Sequence, residues 1–230
     1  MRRFADIYAQ AAARKGGEAA LEALIALDRP KSRAELLATP DDRWLAMMAR
    51  CVFQAGFNWK VIENKWAGFE AAFHGFEPRI NAAMSDDELD AHLKDARIIR
   101  NARKILPVRH NAQFIVDLAA EHGGAGRFFT EWPDTDFAGL LEVMKARASR
   151  LFGETAMRFF RWMGRPSYIT SRDVTAALIQ AGVIDRPPAS RKDLAAVQAA
   201  FNAWMAETGR DLTSLSRVLA MSTGPERSGS

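Results

Sequence analysis

The sequence has one cysteine, Cys51, in 230 residues. No disulfide can form within the chain, and no structural zinc site can be built from clustered cysteines. Tyrosine is nearly as scarce, limited to Tyr8 and Tyr168. No apolar run reaches the roughly 18 residues that a membrane span requires. Met1-Arg2-Arg3-Phe4-Ala5-Asp6 carries two arginines with no apolar stretch behind them, so it does not read as a secretory signal. Sustained alternation of Val, Ile and Thr with polar residues is missing, which removes strands from the expectation. The four histidines, His74, His92, His110 and His122, lack the paired spacing of metal ligands. There is no Ser-His-Asp arrangement, phosphate-cradling glycine loop or dinucleotide-binding glycine pattern. The expectation is a soluble intracellular chain without metal or cofactor.

What is present is a globular composition, 48% hydrophobic and 26% charged, long enough for one large domain or two small ones. Helix signals dominate. Thr39-Pro40-Asp41-Asp42 reads as an N-cap, a first-turn proline and first-turn acids, ahead of Trp44, Leu45, Met47, Met48, Val52 and Phe53 at helical spacing. Ser85-Asp86-Asp87-Glu88 is a capping box. Gly153 to Met163 reads as an apolar and basic helix ended by Gly164-Arg165-Pro166. Thr170-Ser171-Arg172-Asp173 and Ser190-Arg191-Lys192-Asp193 cap two more. These signals predict an all-α fold of about ten helices. Asp185-Arg186-Pro187-Pro188-Ala189 is the clearest internal break, and residues 222–230 read as a frayed polar tail.

The net charge is only +4, but it is unevenly placed. Lys94 to Arg109 holds six basic residues and one acid, and Lys145 to Arg172 holds seven and one. The remainder is therefore acidic. Segregation of this kind suits one face on a phosphate backbone, although a basic run taken alone is also what a solvated helix face looks like. Arg158, Arg161 and Arg165 lead at helical spacing towards the turn at 164–170. The capped helix start beyond it offers free N–H groups to an anion.

An ordered set of motifs carries more information. Gln54-Ala55-Gly56-Phe57-Asn58-Trp59 precedes Phe73-His74-Gly75-Phe76-Glu77-Pro78. Ala82-Ala83-Met84 follows, then Asp95-Ala96-Arg97-Ile98-Ile99-Arg100-Asn101-Ala102-Arg103-Lys104-Ile105, and Asn111-Ala112 reads as the start of another helix. The set resembles the bacterial DNA-3-methyladenine glycosylase I family, within the helix-hairpin-helix DNA glycosylase superfamily. The strong part covers about 44–115 and a weaker part about 150–185, where Tyr168-Ile169-Thr170 leads to Gln180-Ala181-Gly182-Val183-Ile184-Asp185.

The resemblance implies an all-helical glycosylase domain over 1–222 with two lobes around a base-binding cleft, a helix-hairpin-helix at about 153–182 and a tail at 223–230. It implies base-excision repair, with hydrolysis of the N-glycosidic bond of an alkylated purine such as 3-methyladenine. The base must first leave the duplex stack. An aromatic slot suits the cationic lesion, and a wedge, which the sequence does not identify, fills the gap left in the duplex. The implied partner is double-stranded DNA with a damaged base. A monomer in the cytoplasm with the nucleoid is expected, without a membrane.

Carried over residue by residue, Trp59 matches the base-stacking position; without the motif it reads as core. Gln54 and Asn58 belong to the same motif, Asn58 as a base contact or a turn cap. Phe53 is a cavity wall or core. Cys51 stands where the family has a pocket glutamate, and a buried thiol cannot replace a carboxylate. Tyr8 is the only tyrosine near the start, and serves as a pocket residue or as part of an amphipathic face with Phe4 and Ile7. Asp185 stands where the wider superfamily places an aspartate that assists the reaction, and also reads as a surface turn acid. Arg100, Arg103, Lys104, Arg165, Ser167, Tyr168, Thr170 and Ser171 are the candidate DNA-backbone contacts. The family's zinc ligands are missing at both ends. No lysine lies between Gly164 and Asp185, so strand-cleaving lyase chemistry is not expected. The alternatives are a non-catalytic lesion-binding module and a glycosylase for a different modified base.

Overall fold

The computed structural model describes residues 1–223. Among them are fifteen α-helices and no strand. The helices are α1 (Phe4–Lys15), α2 (Glu18–Ala26), α3 (Arg33–Leu37), α4 (Asp41–Gln54), α5 (Trp59–Asn64), α6 (Trp66–Ala72), α7 (Pro78–Ala82) and α8 (Asp86–His92). They continue as α9 (Ala102–His122), α10 (Ala125–Glu131), α11 (Phe137–Arg147), α12 (Gly153–Met163), α13 (Arg172–Gln180), α14 (Arg191–Thr208) and α15 (Leu212–Ser222). The fold is all-α, as expected, with more and shorter helices than the sequence suggested. The expected tail lies, from residue 224 on, outside the described residues, whereas Ser222 ends α15 and is buried.

The chain divides into two compact units. The terminal unit contains 1–30, 133–139 and 166 onward; the central unit contains 31–132 and 140–165. α12 belongs to the central unit and α13 to the terminal one, so the expected hairpin at 153–182 is shared between them.

In the terminal unit, Trp204 of α14 packs its ring 6.0 Å from Phe4 and 5.7 Å from Phe201. Leu21, Leu212, Leu215 and Leu219 fill the same core. Burying each such side chain stabilises by roughly 1.5–3 kcal/mol. The start of α1 has no local cap, and Glu207 of α14 supplies one, accepting from the Phe4 and Ala5 N–H groups.

In the central unit, α4 is the hub. Trp44 packs against Phe129 of α10 and Phe159 of α12, at 5.0 and 5.9 Å between ring centres. Phe53 meets Phe69 edge-on at 4.6 Å. The buried face of α12, with Ala156, Met157, Phe159, Phe160 and Met163, lies in this core. Its other face is left for polar residues.

Several helix ends differ from expectation. α4 begins at Asp41 with Pro40 in the cap position and no side-chain cap. Asp41 instead accepts from the Ala125 N–H at 2.8 Å, serving α10. Asn111 does not open a helix: α9 runs through Pro107, and the buried Asn111 amide exchanges two hydrogen bonds with the Ser149 backbone. The capping box at Ser85, the caps at Ser171 and Ser190 and the bounds of α12 are as expected, and Ser190 forms a capping box with Asp193.

Candidate functional site

A cavity of about 330 Å³ opens in the central unit between the end of α4 and the polar face of α12. Cys51, Gln54, Ala55, Gly56 and Trp59 form one wall, and Glu154, Thr155, Arg158 and Trp162 form the other. The size is at the lower end of small-ligand sites.

The α4 wall is shaped by how that helix ends. Ala55 leaves helical geometry and Gly56 takes φ +69°, a left-handed conformation that favours glycine. The chain then turns into α5, whose first residue is Trp59. The Lys104 ammonium holds the turn, donating to the carbonyls of Val52, Phe53 and Ala55 at 2.9, 2.9 and 2.7 Å. These are orphan acceptors at a helix C-terminus, where a cation is favoured. Desolvation pushes the Lys104 pKa below its ordinary value.

Trp59 remains 45% exposed and meets Trp162 edge-to-face at 5.0 Å. A half-exposed indole backed by a second, more buried one at the wall of a cavity is a stacking surface. Gln54 is 4% exposed, and its Oε1 has no hydrogen-bond partner. An acceptor left so costs about 1–3 kcal/mol, which a ligand donor would recover. Cys51 is 3% exposed, and burial drives its thiol pKa far upward, against weaker opposing pulls from Arg50 and Arg158. It presents a neutral thiol. On α12, Glu154 and Arg158 form an ion pair at 3.1 Å, both about half exposed.

Of the expected pocket residues, the structure thus brings together Trp59, Gln54 and Cys51. Phe53 is core, fully buried against Phe69. Asn58 is the cap of α5, its side chain accepting from the Lys60 N–H at 3.0 Å. Tyr8 belongs to the terminal unit, where its hydroxyl donates to Glu22 at 2.7 Å and Arg210 pairs with the same carboxylate at 2.6 Å. Burial first, then Glu22, raises the Tyr8 pKa.

The expected backbone contacts separate more sharply. Arg100 and Arg103 are exposed. Lys104 is instead engaged at α4, all three of its donors directed at carbonyls. Arg165 is 2% exposed and donates to the Phe129 and Trp132 carbonyls at the end of α10, both at 2.7 Å. Ser167 is buried, its N–H donating to the Thr213 hydroxyl. Tyr168 is buried too, its ring stacked on Phe201 at 4.6 Å and edge-on to Phe137 at 4.9 Å. These three serve the interior of the fold: Arg165 completes buried carbonyls, Tyr168 packs among rings, and Ser167 bonds through its backbone. Thr170 and Ser171 are half-buried, Ser171 capping α13. Asp185 lies exposed in a bend of the terminal unit.

Glu154, Thr155 and Trp162 were not anticipated. Glu154, Arg158 and Trp162 stand at i, i+4 and i+8, one face of a helix. That stripe is visible in the sequence, but it competes there with the basic spacing of 158, 161 and 165. Among the described residues, no group of three or more His, Cys, Asp or Glu side chains is placed to hold a metal. No described helix is long and apolar enough to cross a membrane.

The model of the methyladenine glycosylase family matches residues 37–147, which include the whole α4 wall. The curated DNA-3-methyladenine glycosylase 1 of Escherichia coli (strain K12) is 37% identical over 60 residues, 26% of this chain and 32% of that protein. The match thus spans about a third of that relative's length. A solved 3-methyladenine DNA glycosylase I from Staphylococcus aureus superposes with a TM-score of 0.50 at 20% identity, over 54% of this chain and 77% of the other. That likeness shows a shared fold alone. Over residues 37–147, a little under half of its length, the chain is similar to the methyladenine glycosylase family.

Proposed function

We propose that this protein is a monofunctional DNA base-excision glycosylase that hydrolyses the N-glycosidic bond of an alkylated purine such as 3-methyladenine. The observation that carries the reading is the cavity at the end of α4. Within the family-matching segment it presents a half-exposed Trp59 beside the unsatisfied Gln54 Oε1. A flipped purine would stack on the indole and offer a donor to the amide oxygen. An alkylated purine is cationic, and its own charge weakens the glycosidic bond, so little acid catalysis is required. Water attacks the anomeric carbon with Asp185 as the assisting carboxylate. Support for Asp185 is its exposure and its free carboxylate, which makes no hydrogen bond or ion pair among the described residues. Arg100 and Arg103, exposed at the start of α9, supply phosphate contacts. The same reading makes the protein a monomer acting on duplex DNA in the cytoplasm.

The test is release of free base from alkylated duplex DNA. Release supports the enzyme reading, and duplex binding without release of any base rejects it. The second outcome would favour a lesion-binding module, for which the neutral thiol of Cys51 in the cavity wall already argues. Release of a different modified base would keep the reaction and change the substrate.

A further inference from the structure

We infer that the α12 side of the cavity sets which base it accepts, with Glu154 favouring a cationic purine and Arg158 opposing it. The inference rests on the glycosylase reading of the site and adds a specificity-determining pair to it. The cavity has one acidic and one basic lining side chain, and both come from α12. The α4 wall supplies a neutral thiol, an amide and an indole, none of which distinguishes a cation from a neutral ring by net charge. Glu154 and Arg158 are therefore the lining side chains whose formal charge can tell the two apart.

The two side chains are partners, at 3.1 Å in i,i+4 geometry. With side chains 46% and 38% exposed, the pair is of the weak, solvent-screened kind. Glu154 can therefore exchange its arginine for a cation entering between α4 and α12 at little cost. Trp59 and Trp162 would attract the same cation through their ring faces. Arg158 acts in the opposite sense twice over: it occupies the carboxylate, and it repels a second positive charge. A neutral purine meets neither effect and is held by stacking and by Gln54. The formal charges that read the base thus both lie on α12, while the thiol, amide and indole of the α4 side carry none.

The arrangement has a signature that a helix-stabilising ion pair lacks. Breaking a structural pair from either side has the same consequence. Here the two sides have opposite signs. Binding of 3,9-dimethyladeninium, a fixed-charge 3-alkylated purine, and of neutral 9-methyladenine to the full chain can be compared by calorimetry. Glu154→Gln should weaken the cation about tenfold. Arg158→Gln should tighten it about threefold. Both should leave the neutral purine within about twofold. Glu154→Asp, which keeps the charge, should keep the preference, and unchanged thermal midpoints would show that the variants are folded. Effects of the same sign, no effect of either variant, or a parent that binds neither purine would each overturn the inference. Base release by the parent that is indifferent to Glu154→Gln would also overturn it, leaving the glycosylase reading intact. The opposed signs without base release from alkylated duplex would do the reverse.

Discussion

Arg158 and Arg165 lie seven residues apart in one basic stretch, and the structure puts them to opposite uses. Arg158 stands half exposed in a cavity, with a weak partner and a neutral wall opposite. Arg165 is sealed among carbonyls and the Phe160 ring, 5.7 Å from its guanidinium. The difference follows from the helix that separates them. α12 keeps one face in the core and one outside, then stops at Gly164, which adopts φ +87°. The chain beyond Gly164 turns inward, so the next basic side chain meets the end of α10 instead of solvent. Positive charge in a sequence names a partner only after the path of the backbone is known.

That contrast can be broken most decisively at Arg165. Arg165→Met should destabilise the fold by about 3 kcal/mol, because it strands the Phe129 and Trp132 carbonyls. Chemical denaturation would read this, and a loss below about 0.5 kcal/mol would return Arg165 to the list of surface contacts. Lys104→Met should cost about 2 kcal/mol and lower base release with it, since the three carbonyls it serves carry the α4 wall. A stable Lys104→Met protein with reduced DNA binding alone would reinstate the phosphate contact. Trp59→Ala should reduce base release by about tenfold to a hundredfold with little change in stability, a separation that a core tryptophan would not allow. For Asp185→Asn, single-turnover release should slow by at least about tenfold; an unchanged rate would assign the residue to its turn. The smallest effect belongs to Arg100→Gln with Arg103→Gln. Together they should flatten the salt dependence of DNA binding by about two in the log–log slope.

The legible parts of the fold were those settled within a few residues of chain. Ser85, Ser171 and Ser190 cap helices whose first turns they adjoin, and Gly164 ends α12 where its missing side chain permits. What escaped depended on distant partners. Asp41 is a first-turn acid of its own helix, as read, but its carboxylate also serves the N–H of Ala125 in α10, which nothing nearby in the chain announces. Asn111 looks like a cap and is an interior side chain held by Ser149. At the site, the Gln54 to Trp59 motif located the α4 wall because one short segment supplies it. The α12 wall could not be assigned from sequence, because nothing local says that Glu154 and Trp162 face residue 51 across the cavity.

The cap that Glu207 places on α1 has a consequence for how the chain is made. The helix starts at Phe4, but the acceptors for its first N–H groups come some two hundred residues later. The central unit is contiguous apart from 133–139, so it can consolidate while synthesis is still under way. The first thirty residues cannot, because Phe4, Ile7 and Leu21 have no core to join until α14 and α15 have left the ribosome. Residue order thus sets assembly order, and the early segment that waits is the one most exposed to chaperones and proteases.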